Sequence, residues 1–186
     1  MPVAATDRRI ERTREAIAGA FNALIFEGRR YDRIRVADLI ARAGVGRSTF
    51  YEHYRGKDDV LAQTIRYPFA MLAASVDRDV QVATLRDVLA HFRENRVAAK
   101  AIFAGSARRR IARVLASMID ERLRVRAQAR GVALRYGLGI AAIALAEGQL
   151  AAVMAWIAGD IAGDAARLAT TLHRIAQATA RDLCDR

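Results

Sequence analysis

The sequence predicts an all-α protein, with a small N-terminal domain of three helices and a larger helical domain behind it. Three observations carry that expectation. Proline occurs only twice, at Pro2 and Pro68, so long stretches are free to coil. The composition is rich in Ala, Leu and Arg and has few runs of β-branched residues. Apolar residues recur at the helical period along most of the 186 residues.

The elements follow in order. Thr6 and Asp7 signal the start of a first helix, whose buried face is Ile10, Ile17, Phe21, Leu24 and Ile25, and Gly28 ends it. Val36, Leu39, Ile40 and Ala43 make a helix of about two turns, closed by Gly44, a residue suited to the left-handed conformation beyond a helix end. Val45 resumes the core. A third short helix carries Thr49, Phe50 and Tyr54, with Phe50 and Tyr54 assigned inward. After Gly56, Lys57-Asp58-Asp59 opens a fourth helix with two carboxylates where the helix dipole favours them. It runs on past Pro68, which predicts a kink near Thr64 to Tyr67 because proline removes one hydrogen bond and clashes with the preceding turn. Beyond it, Leu138 to Ile161 is apolar nearly all round. The last segment carries a stripe from Ala165 to Leu183.

Charge and cysteine content narrow the function classes. The formal net charge of +11 favours a polyanionic partner, nucleic acid before an anionic membrane. Residues 1–60 carry 12 basic and 9 acidic side chains, only +3, whereas nine Arg against two acids between Gly105 and Arg135 give +7. That second run reads as a solvated helix face, as long-range attraction for DNA, or as a seat for an anionic effector. The lone Cys184 staples nothing and suits a reducing compartment. The N-terminus has acidic residues and no apolar stretch before a cleavage site, so a cytoplasmic protein is expected. Gly137 to Gly163 approaches membrane-spanning length, but Glu147 and Gln149 at its centre favour a buried soluble helix, and no membrane association is expected.

Two short helices joined by a Gly-Val-Gly turn, Gly44 to Gly46, have the helix-turn-helix arrangement. The turn sets the interhelical angle, Val45 plugs the corner, and the second helix keeps an outer face of Arg47, Ser48, Tyr51 and His53. Those side chains suit phosphates and base edges in a major groove of double-stranded DNA. Arg47 is the candidate base reader, since Arg meets guanine bidentately.

The segment "VADLIARAGVGRSTFYEHYRGKDDVL", Val36 to Leu61, resembles the N-terminal signature of the tetracycline-repressor (TetR) family of bacterial transcription regulators. The Ala-Gly-Val turn, Thr49-Phe50-Tyr51, His53 before an aromatic, and Lys57 opening the next helix carry the likeness, which covers about residues 10 to 70. Arg35 stands where a capping Thr is common, and Gly46 and Gly56 where a Ser often caps. The resemblance implies a DNA-binding domain over 10–70, with its helix-turn-helix at about 35–54, and an effector-binding and dimerisation domain over 71–186. Expected contacts to DNA are Arg35, Arg47, Ser48, Thr49, Tyr51, His53 and Lys57, with Thr49, Tyr51, His53 and Lys57 mainly on phosphates.

The family resemblance also implies a homodimer built as a four-helix bundle from the last two helices. Its expected interface residues are Leu138, Leu145, Ala152, Trp156, Leu168, Leu172, Ile175 and Leu183. A small-molecule effector is expected against Phe69, Met71, Leu72, Phe92, Ile102, Phe103, Leu115 and Met118, large or flexible apolar groups of the kind that line cavities. The expected function is a repressor on an inverted-repeat operator; the alternative is a constitutive dimeric DNA-binding protein without an effector. Catalysis has little behind it. "GLGIAA", Gly137 to Ala142, matches a dinucleotide fingerprint without the strand it needs; its small residues are read instead as close helix packing. Ser48 and His53 point apart on one helix, and His53, His91 and His173 lie too far apart for a local metal motif, so no catalytic residue, metal or cofactor is expected.

Overall fold

The computed structural model describes residues 3–103, 105–132 and 138–184, with the side chains of 3–7 and 138 left aside. Among the described residues there are ten α-helices and no strand: α1 Val3–Phe26, α2 Val36–Ala43, α3 Arg47–His53, α4 Lys57–Thr64, α5 Arg66–Ala73, α6 Val82–Glu94, α7 Arg96–Phe103, α8 Ser106–Gln128, α9 Leu138–Ala158 and α10 Ala165–Cys184. Single 3₁₀ turns follow α1 (Tyr31–Arg33) and α5 (Ala74–Val76). The first helix begins at Val3, upstream of the Thr6 and Asp7 expected to start it.

The small domain packs as its periodicity requires. Ile17, Phe21, Leu24 and Ile25 on α1 meet Leu39, Phe50, Tyr54, Val60 and Leu61, all at most 5% exposed. At the end of α2, Gly44 adopts φ 65° and ψ 30°, the left-handed region that costs a residue with a Cβ about 1–2 kcal/mol. Arg35, Gly46 and Gly56 are the N-cap residues of α2, α3 and α4. The carboxylate of Asp38 accepts the Arg35 backbone N–H at 2.8 Å, one half of a capping box whose other half the Arg35 side chain, with no acceptor, cannot supply.

The expected kink is a full break. Ile65, at φ −80° and ψ −9°, separates α4 from α5, and Pro68 falls in the first turn of α5, where its missing N–H costs nothing. The boundary expected at residue 70 therefore lies inside α5. Buried side chains form one continuous cluster from Ile17 on α1 to Cys184 on α10.

Helix α8 is the centre of the larger domain. Ile111, Leu115, Ile119 and Leu123 are each fully buried, and α8 packs most extensively on α9. Helix α9 is long and apolar enough to cross a bilayer on length and composition, yet one side of it, Leu145, Ala146, Leu150, Val153 and Trp156, is buried in this chain's core. Glu147 pairs with Arg108 at 2.7 Å, and the buried Gln149 donates to the Ser75 hydroxyl at 2.8 Å. Among the described residues no atom lies within 4 Å of where a Gly139 Cβ would stand, so none of them makes the close approach expected there.

Gly105, ahead of α8, has φ 66°, and a Cβ there would collide with the Asp32 carboxylate. Around Gly44 the corresponding space is open. Gly44→Ala is therefore expected to lower stability in urea denaturation by about 1–2 kcal/mol from backbone strain alone, and Gly105→Ala by distinctly more. Equal losses would show that the Asp32 contact carries no weight.

Candidate nucleic-acid interface

Helix α3 is positioned from beneath by two aromatic anchors. Phe50 is fully buried and Tyr54, 4% exposed, donates its hydroxyl to Gln63 Oε1 at 2.6 Å. Burial pushes the Tyr54 phenol above its ordinary pKa. With these residues inward, α3 turns Arg47, Ser48, Tyr51 and Glu52 to solvent; Tyr51 is 47% exposed despite its size. The Arg47 guanidinium lies 5.7 Å from the centre of the Tyr51 ring, so the two side chains hold each other at the surface. Thr49 and His53 are half-buried at the flanks, and Arg35 is exposed at the entry to α2. Sequence reasoning passed over two exposed neighbours, Glu52 and Arg55; their only signal was position on the same short segment.

Lys57 is placed differently from the rest. Its ammonium donates to the backbone carbonyls of Tyr31 at 3.0 Å and Ile34 at 2.9 Å, and sits 4.4 Å from the centre of the Tyr31 ring. Two of its three N–H donors are thus spent inside the protein, so at most one remains for the phosphate contact expected of it. The next residue, Asp58, accepts the Tyr31 hydroxyl and pairs with Arg110 of α8 at 2.5 Å. Burial, then the Asp58 bond, pushes the Tyr31 phenol well above its usual range. Ser106, at the start of α8, donates to Asp32, and that bond holds the Asp32 carboxyl below its ordinary pKa. The start of α4, the turn after α1 and the start of α8 are therefore joined by one polar network.

Residues 24–64 match the family model described as "Bacterial regulatory proteins, tetR family". Residues 24–64 are thus a TetR-type N-terminal segment. An uncharacterised HTH-type transcriptional regulator of Bacillus subtilis (strain 168), YxbF, is 38% identical over 60 residues, which are 32% of this chain and only 16% of that protein. A TetR transcriptional regulator from Streptococcus agalactiae 2603V superposes with a TM-score of 0.59 at 25% identity, covering 94% of this chain and 98% of that one. A TetR-family regulator from Syntrophomonas wolfei str. Goettingen shares the fold at a TM-score of 0.58 and 18% identity, covering 91% of this chain and 95% of that one. The TetR-type fold thus extends over the larger helical domain, where sequence identity alone is thin.

The remaining sequence-derived residues divide. Phe69, Phe92, Ile102 and Phe103 meet in a cleft of about 290 Å³, with the three rings 5.8–6.0 Å apart. Leu72 and Leu115 do not line it; both are fully buried core residues. Met118 lies in a separate groove beside Arg122 and Arg126, and half-buried Met71 is not among the cleft's walls. Leu145, Ala152, Trp156, Leu168, Leu172 and Ile175 line one groove between α9 and α10. Trp156 is only 2% exposed, its indole N–H donating to Gly163 O at 2.8 Å and Arg93 lying 4.7 Å from the ring, so it forms floor rather than a free face. Leu183 is half-buried and outside the groove, and the Leu138 side chain lies outside the described residues.

Tyr31→Phe removes one hydrogen bond to a carboxylate and nothing else. Urea denaturation is expected to show a loss of about 1.5–3 kcal/mol, the range for bonds to charged groups; no change would mean that Asp58 is held by Arg110 alone.

Proposed function

We propose that this protein is a DNA-binding transcription regulator that acts as a homodimeric repressor on an inverted-repeat operator and is released by a small-molecule effector. The observation that carries the reading is the outer face of α3. Arg47, Ser48 and Tyr51 stand exposed on a helix whose inner face is locked by Phe50 and Tyr54. Arg47 reads base edges from the N-terminal end of α3; Ser48, Thr49, Tyr51, His53 and Arg35 hold phosphates and fix register. Lys57 acts from within, by holding the unit that presents these contacts.

Dimerisation is supported by an uncovered apolar face. Ile140 and Ile175 are 76% and 54% exposed on α9 and α10, and Ile175 lines the groove floored by Leu145 and Trp156. Gly148 leaves open space on the same helix, which suits a close approach by a second copy. Effector release is supported by the aromatic cleft. It is bounded by Ile25 and Phe26 of α1, Pro68 and Phe69 of α5, and Phe92 and Phe103 behind them. An apolar effector seated there presses on α5 directly beyond the Ile65 break and tilts α4, with the reading helices moving out of register. The effector must bind the released state more tightly, since equal affinity for both states shifts nothing.

Selection of bound DNA from random sequence is expected to return an inverted repeat with half-sites on successive major grooves. A single unrepeated motif held by a monomer would overturn the dimeric reading. Within a selected site, Arg47→Ala is expected to cost about 1–3 kcal/mol and to relax the preference at one base position.

A further inference from the structure

Helices α8 and α9 enclose a second, larger groove of about 700 Å³, distinct from the aromatic cleft. Its apolar wall is Ala112, Ala116, Ala142 and Ile143. Its basic side comes from α8 alone, in Arg109, Arg110 and Arg113. The two acids that line it are neutralised from outside it, Glu147 by Arg108 at 2.7 Å and Asp120 by Arg124 at 2.7 Å. Arg110 is taken by Asp58. Arg109 and Arg113 have no carboxylate within salt-bridge distance among the described residues. Four residues apart on one helix, they face the same way, and like charges so spaced repel. An apolar trough with two unneutralised guanidiniums at its edge has the makeup of a site for a molecule that is greasy along its length and anionic at one end.

We propose that this groove binds an amphipathic carboxylate, with the carboxylate between Arg109 and Arg113 and the apolar body along Ala116, Ala142 and Ile143. Arg110 gives the site a route to the DNA-binding domain. Its guanidinium lies between the groove and Asp58, and Asp58 adjoins Lys57 at the start of α4. A ligand carboxylate competes with Asp58 for Arg110 and so loosens the network that joins α8 to α4. Only this consequence at DNA rests on the regulator reading; the binding itself does not.

The test is calorimetric titration of the full-length protein, without DNA, with sodium decanoate, 1-decanol and inorganic phosphate. Decanoate is expected to bind, and decanol and phosphate to bind at least tenfold more weakly. Arg109→Gln combined with Arg113→Gln should weaken decanoate at least tenfold with unfolding temperature retained, whereas Phe92→Ala in the aromatic cleft should leave it within twofold. The site is overturned by absent binding, by undiminished binding to the arginine variant, or by a loss confined to Phe92→Ala. On a selected operator, saturating decanoate should weaken DNA affinity at least tenfold. Unchanged DNA affinity removes the Arg110 route, and failure to hold any selected DNA removes the regulator reading; neither touches a site already established by titration.

Discussion

The clamp that Lys57 makes on the carbonyls of Tyr31 and Ile34 fixes how the outer face of α3 is presented. Those carbonyls belong to the turn that carries the chain from α1 into α2, and Lys57 is the first residue of α4. The α2–α3 unit lies between these two points in the chain, so the clamp closes a loop around it. A charge-assisted bond to each of two half-buried carbonyls is a stronger tie than a neutral pair would be. The Tyr31 ring beneath the ammonium adds a cation–π contact. Asp58 then carries the tie outward to Arg110, so one dipeptide joins the helix-turn-helix to the centre of the larger domain.

What was legible in the sequence is local. The left-handed Gly44 and the interruption at Ile65 ahead of Pro68, expected as a kink, depend on backbone preferences that the residue types carry, whereas the caps at Arg35, Gly46 and Gly56 were legible only through the family resemblance. The inward turn of Phe50 and Tyr54 was equally legible, because their spacing leaves no other buried face on so short a helix. What was not legible depends on partners distant in the chain. Lys57 reads as a surface cation at a helix start until its acceptors, 26 and 23 residues earlier, are in place. Leu72 and Leu115 share the composition of cleft-lining residues but meet the core, a difference set by which side of α5 and α8 is covered.

The basic excess shows the same limit. Nine arginines in one stretch read as a diffuse positive field, yet Arg108, Arg110, Arg122 and Arg124 each have a carboxylate partner, and Arg126 donates to Val76 O and Gln177. Four of the nine, Arg108, Arg110, Arg122 and Arg126, thus fasten α8 to its neighbours. The apolar excess of α9 divides similarly: Leu150, Val153 and Trp156 fill this chain's core, while Ile140 and Ile143 are left outside. Net charge and hydropathy, summed along a segment, do not separate what is already spent within the fold from what remains for a partner.

The central claim is that Lys57 acts by holding the reading unit in place. Lys57→Met keeps the aliphatic stem and removes the ammonium, and the decisive measurement is its unfolding free energy together with the salt dependence of its DNA affinity. The account predicts a stability loss of about 2–4 kcal/mol, for two carbonyls left without their charged donor, with weaker DNA binding but an unchanged salt slope. Wild-type stability with a slope reduced by about one ion would contradict it and return Lys57 to the phosphate backbone.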